Sequence, residues 1–215
     1  MEKLLQLLIL FSIIHLNLNL KAQEYIDTQE LQKNVNAEIN GKPAKDFFNR
    51  NVMFPLDKNM NPKEGKVVLS FIIDKTGQLD SISIIKYPND FAVNEVLKGF
   101  VKSKELWTSA KSDNVSVKRK YLAIFNFYIG SDSNIAKERA TKLSNKGKYE
   151  KALDLANKAI VKDEYDISLY KLRENIYRNL GKIELAEFDL KKIKVLENEL
   201  LIDVSLTMFG IRREI

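Results

Sequence analysis

Between Val67 and Ile84 large apolar residues alternate with polar ones. Val67, Leu69, Phe71 and Ile73 interleave with Lys66, Ser70 and Asp74, the period of a half-buried strand. Asp74-Lys75-Thr76-Gly77 follows, and Gly77 can take the positive φ that a tight hairpin turn needs. Leu79, Ile82 and Ile84 then resume the pattern against Ser81 and Ser83. Glu64 to Lys86 therefore predicts a β-hairpin. Tyr87-Pro88 stops the second strand, and the period lengthens. Val93, Val96, Leu97, Phe100 and Val101 share one stripe of a helix over about 90–102, with Asp90 as its expected cap. Beyond a polar loop carrying Trp107, a third strand is predicted from Val115 to Ile129, with Tyr121, Ala123, Phe125 and Phe127 on one face. The order is β-β-α-β, in which one helix covers one face of a small sheet.

The flanks differ from this middle. Lys3 precedes an apolar run from Leu4 to Ile14, and Ala22 offers a small residue before a cleavage point. Residues 1–22 are expected to be an export signal, a retained N-terminal anchor being the alternative. Residues 23–45 are polar and are expected to be a lead-in or linker, a short helix or loose chain, with Asn40-Gly41-Lys42-Pro43 as a turn.

After residue 130 the period becomes helical again, and the sequence repeats. Asn145-Lys146-Gly147-Lys148-Tyr149-Glu150-Lys151-Ala152 is echoed by Asn179-Leu180-Gly181-Lys182-Ile183-Glu184-Leu185-Ala186, a spacing of 34 residues from Gly147 to Gly181 and from Ala152 to Ala186. A glycine ending one helix and an alanine inside the next at this period resemble tetratricopeptide repeats. Helices are expected at about 134–146, 149–162, 166–180 and 183–197. Ala140, Leu143, Ala156, Ala159 and Ile160 fit the packing positions of the first repeat, and Tyr170, Tyr177 and Leu190 those of the second. Glu174 stands where a small residue is usual. Leu201 to Phe209 is expected to be a capping helix, with a subunit contact as the alternative.

Composition narrows the chemistry. The 215 residues hold no cysteine and a single histidine, His15, inside the expected signal. Disulfides and thiol catalysis are excluded, and removal of the signal would remove the imidazole. Asp163-Glu164-Asp166 lacks the glycine and ligand register of a calcium loop and reads as a solvated turn. Asp74 and Asp80 read as hairpin-turn residues, and the glycines are too scattered for a phosphate loop. The chain is expected not to be an enzyme and to hold no cofactor or metal. Lys and Arg exceed Asp and Glu by 35 to 29 without a long basic block, so no nucleic-acid partner is expected. A peptidoglycan- or membrane-associated structural role draws only on this basic balance. Lys118-Arg119-Lys120 reads either as lysines that protect an edge strand or as an edge that accepts an extended peptide. Trp107 reads as a core anchor.

The middle resembles the TonB C-terminal domain, over about residues 47–129. Phe54-Pro55 stands where that family has Tyr-Pro, and Glu64-Gly65, a hydrophobic strand and Asp74-Lys75-Thr76-Gly77 follow at the family's spacings. Trp107 and the strand from Lys118 to Ile129 also correspond. Ser109 and Ala110 replace the family's proline and glycine, and the long proline-rich spacer is not found.

The resemblance implies an α+β fold, a small β-β-α-β sheet-and-helix domain (46–130), followed by an all-α region of two tetratricopeptide-like repeats (133–200) and a tail (201–215). It also implies a periplasmic protein of a Gram-negative bacterium that binds partner segments by strand addition, in or beside receptor-dependent outer-membrane transport. The partners implied are an outer-membrane receptor's N-terminal segment and other envelope proteins, with membrane contact only if the N-terminal segment is retained. The partner-binding residues expected are Arg50, Asn51, Val52, Met53, Lys118, Lys120, Leu122 and Ile124. The alternative function is an envelope-assembly or secretion scaffold that uses the repeats as its main site, without energy coupling.

Overall fold

The computed structural model describes residues 34–129 and 135–208; the expected signal (1–22), the start of the lead-in and the last residues of the tail lie outside them. The chain begins with short strands β1 (Asn34–Val35), β2 (Glu38–Ile39) and β3 (Lys42–Pro43), then helix α1 (Ala44–Asn51). The hairpin strands are β4 (Gly65–Ile73) and β5 (Leu79–Lys86), followed by α2 (Asp90–Ser103). Next come β6 (Trp107–Thr108), β7 (Ala110–Ser112), β8 (Val115–Val117) and the long β9 (Arg119–Ile129). Four helices, α3 (Ile135–Ser144), α4 (Tyr149–Lys162), α5 (Ile167–Asn179) and α6 (Ile183–Glu199), lead to β10 (Leu200–Met208). The class is α+β.

The main sheet has the order β10-β9-β4-β5. Strand β4 runs antiparallel to both neighbours, whereas β10 pairs in parallel with β9 from Leu200↔Leu122 to Met208↔Ile129. This corrects the expected capping helix over 201–209. The strand signal was in the sequence: Ile202, Val204 and Leu206 alternate with Asp203, Ser205 and Thr207, and β-branched residues suit a pleated surface. Parallel neighbours require a long crossover. Here the whole four-helix unit is that crossover.

Both faces of the sheet are covered. On one, Val67, Leu69, Phe71 and Ile73 join Tyr121, Ala123, Phe125, Phe127, Ile202 and Val204 in a core with Phe48 of α1 and Phe100 of α2. Phe48 and Phe100 approach to 4.6 Å between ring centroids, and Trp107 lies 5.4 Å from Phe71 and donates Nε1–H to Ser103 Oγ at 3.1 Å. Trp107 is a core residue. On the other face Leu122 packs with Ala159, Ile160, Leu169, Tyr170, Ile193 and Leu196 of the helical unit. Double coverage explains the apolar run from Tyr121 to Phe125 of β9, which a one-sided strand would not need.

Around this sheet the lead-in and loop are more regular than the sequence suggested. Asn40 and Gly41 (φ 51° and 68°) form a two-residue turn between β2 and β3, and Asp113 and Asn114 (φ 49° and 66°) one between β7 and β8. Paired positive φ values match the twist of tight hairpins. The predicted third strand is therefore two, β8 and β9. Ala37 N–H donates to the buried Tyr121 hydroxyl at 2.9 Å, tying the lead-in to the sheet. The cap of α2 is Asn89, which accepts from Ala92 N–H at 3.0 Å, instead of Asp90. At the β4–β5 turn Asp74 Oδ1 accepts from the backbone of Thr76 and Gln78, each at 2.8 Å. Gly77 (φ 86°) completes it, and a Cβ there would lie 2.7 Å from the Trp107 carbonyl oxygen.

The helical unit repeats in its hydrogen bonds as well as its letters. Lys148 N–H reaches Leu143 O at 3.0 Å beside Gly147 (φ 69°), and Lys182 N–H reaches Tyr177 O at 2.9 Å beside Gly181 (φ 70°). Each closes a helix with the six-to-one bond of a Schellman motif. Ala152 and Ala186 are both fully buried.

Candidate partner-binding site

The predicted site residues fall into two groups. At the end of α1, Arg50 is exposed, Asn51 donates its side-chain amide to Phe47 O at 3.0 Å, Val52 is buried and Met53 is 70% exposed. Val52 is committed to the core: its methyl sits 2.9 Å from where a Cβ on Gly99 of α2 would be. On the sheet, Lys118 forms an ion pair with Asp80 at 3.2 Å, and Lys120 is exposed, but Leu122 and Ile124 are buried. The expectation of a free edge along this strand is corrected. From Leu122 onward β9 is paired on one side by β4 and on the other by β10. The chain supplies its own added strand.

The seam between β9 and β10 carries one weak point. Asn126 is buried, and its amide reaches Asp203 Oδ1 and Ser205 Oγ only at 3.3 Å each, while its own Oδ1 has no partner. At the opposite edge β5 is open but guarded. The register shifts at both ends of its pairing with β4, Asp80 and Ile85 being the unmatched residues, and bulges and charges of this kind discourage edge pairing. Lys86 is also drawn away, donating to Lys162 O at 3.2 Å.

The acidic turn at the start of α5 is used structurally. Asp163 pairs with Lys66 of β4, and Asp166 caps α5 by accepting from Ser168 N–H at 2.8 Å while pairing with Lys137 at 3.1 Å. Burial works against its ionisation, but the hydrogen bonds from Ser168 and Lys137 outweigh it and hold the Asp166 carboxyl below the usual range. No group of three potential metal ligands occurs among the described residues, and no helix among them is long and apolar enough to cross a membrane.

The helical unit is two helical hairpins, α3–α4 and α5–α6, and the second is bolted by Arg173. Its guanidinium meets the fully buried Asp189 at 2.8 and 2.6 Å, donates to Asn157 Oδ1 at 2.9 Å and lies 5.5 and 5.7 Å from the rings of Tyr170 and Tyr177. The Asp189 hydrogen bonds push the Arg173 pKa up. Glu174 is half-buried and pairs with Arg178, which in turn reaches Glu187 of α6 at 2.9 Å.

What remains open is the outer face of α6. Ala186, Asp189, Ile193 and Leu196 turn inward, and Leu185, Phe188 and Val195 are 47%, 67% and 49% exposed. These three, with Lys192, recur at i, i+3, i+7 and i+10 and form one ridge. None of these three is among the residues expected to bind a partner or to fill the packing positions of the second repeat. A comparison across the 34-residue period finds the ridge: Leu185 and Phe188 correspond to Lys151 and Asp154, both exposed. In comparisons with known proteins, no family model matches this chain, and neither a curated protein nor a solved structure does.

Proposed function

We propose that this chain is a non-enzymatic protein-binding component of the bacterial cell envelope, an assembly or secretion scaffold whose helical unit is the main binding site. In this reading the sheet and its two helices are a TonB C-terminal-like domain, and α3 to α6 are two tetratricopeptide-like repeats docked on its second face. Export to the periplasm rests on the apolar run of residues 1–22. The observation that carries the reading is the exposed ridge Leu185–Phe188–Val195, apolar at Leu185 and Phe188 where the first repeat has Lys151 and Asp154, on a molecule whose β9 edge is already filled.

A second reading keeps a role in receptor-dependent transport, with β10 giving way to a receptor segment. The incompletely bonded Asn126 in the β9–β10 seam favours it. Photo-crosslinking in cells, with the probe at Phe188 or at Lys120, separates the two. Protein adducts at Phe188 alone support the scaffold. A receptor segment captured at Lys120 supports transport, and no protein adduct at either position would sink both.

A further inference from the structure

The two helical hairpins are a natural control for one another. On the first, Lys158 lies one turn beyond Asp154 and the two form an ion pair at 2.7 Å on the outer face of α4. On the second, the lysine is kept as Lys192, but Phe188 replaces Asp154 and Leu185 replaces Lys151. Lys192 and its neighbour Lys191 have no hydrogen-bond or ion-pair partner among the described residues. Packing of the repeat does not require this exchange, because the first hairpin folds with Lys151 and Asp154 there; Val195 keeps its exposed counterpart, Val161. Nor is the ridge the face on which another repeat would stack. Leu153 and Ile160, which α4 buries against its neighbours, correspond to Glu187 and Lys194, both exposed on α6.

Resting on the scaffold reading, we infer that the outer face of α6 docks one amphipathic helix of a partner protein, whose apolar stripe covers Leu185, Phe188 and Val195 and whose carboxylates meet Lys191 and Lys192. The spacing i, i+3, i+7, i+10 is that of a helix-on-helix seam. The partner's acid restores to Lys192 the carboxylate that Asp154 gives Lys158. A second copy of this chain is the poorer occupant. The ridge runs from residue 185 to residue 195, so two-fold antiparallel pairing about its middle brings the lysines at 191 and 192 close to their own mates. Like charges so placed are repulsive.

The test uses the full chain in its own cells, with a benzophenone amino acid in place of Phe188 and the captured segment mapped by mass spectrometry. The expected segment has apolar residues at helical spacing flanked by Asp or Glu. Reversing Lys191 and Lys192 to Glu should cut adduct yield about tenfold or more, the equivalent of about 1.4 kcal/mol in affinity. Lys151→Glu, on the first hairpin, should leave the yield unchanged. Melting curves of both charge variants confirm that each is folded. An adduct between two copies, a captured segment lacking carboxylates, or a yield indifferent to charge reversal overturns the inference while leaving the scaffold reading standing. Absence of any protein adduct at Phe188 overturns both.

Discussion

In the first hairpin of the helical unit Arg139 is exposed and Leu155 is half-buried; 34 residues later the corresponding pair, Arg173 and Asp189, is a two-point ion pair whose carboxylate is fully buried and whose guanidinium is half-buried. The turns of the two hairpins are the same to within a degree in φ at Gly147 and Gly181. The buried alanines match as well. A repeat therefore constrains the backbone turn and the close-packed positions, and leaves the remaining faces to diverge. Where the hairpins differ, local folding does not demand the difference, and another cause is to be sought: the interior bolt on one side of α6, the apolar ridge on the other.

The largest effect should come from the bolt. Asp189→Ala leaves the Arg173 guanidinium half-enclosed without its carboxylate, and should lower stability by about 3–5 kcal/mol in urea denaturation. Arg139→Ala, its exposed counterpart's equivalent, should stay within about 0.5 kcal/mol. The double substitution Arg173→Met with Asp189→Leu copies the apolar residue of the first hairpin, Leu155, and should recover most of the loss. If Asp189→Ala is as mild as Arg139→Ala, the ion pair is not the fastener of the second hairpin.

A smaller and equal effect is expected at the two turns. A Cβ on Gly147 or Gly181 meets nothing within 4 Å, so replacement by alanine probes only the left-handed backbone. Each should cost about 1 kcal/mol, with the two values within about 0.5 kcal/mol of one another. Unequal costs would show that the hairpins are closed by different means.

The turns and the 34-residue period were legible because they are local: a glycine at positive φ and an alanine in a tight contact announce themselves within a few residues. So was the β4–β5 hairpin, where alternation and Asp74-Lys75-Thr76-Gly77 agree. The partner edge was not legible, since what fills it lies some eighty positions away, at Leu200 to Met208 against Leu122 to Ile129. The alternation of Ile202, Val204 and Leu206 was visible, but the expectation that a helical stack ends in another helix outweighed it. Leu122 and Ile124 read as edge residues because nothing local says that a second layer covers them. Phe188 was hidden differently: a single apolar residue on a charged helix carries no signal of its own until its counterpart, Asp154, is set beside it.

At the junction between the hairpins, Asp166 gives a pH dependence. Its folded pKa is depressed, so its stabilisation is present above the unfolded carboxylate value of about 3.9 and is lost as pH falls through the lower folded value. Asp166→Asn should therefore be less stable than the parent at pH 7, and the gap should close as the pH drops below about 4. A gap that persists at pH 2 would mean the cap acts through shape and not through charge.

The smallest effect, and the most telling, is expected at Phe188. Burial of a phenylalanine in a core makes its loss cost about 3–5 kcal/mol, whereas surface substitutions stay within about 0.5 kcal/mol. At 67% exposure Phe188 belongs with the second kind. Phe188→Asp, which copies the first hairpin and places a carboxylate one turn before Lys192, should be neutral or slightly stabilising, by about 0.3–0.5 kcal/mol for the new i,i+4 pair. The reciprocal Asp154→Phe should lose the same small amount. A loss above about 1 kcal/mol in Phe188→Asp would show that the ring is held by the chain itself, and the ridge would then be part of the fold. Neutrality would leave a large aromatic side chain kept in water at no benefit to folding, which makes contact with another molecule the remaining reason for its presence.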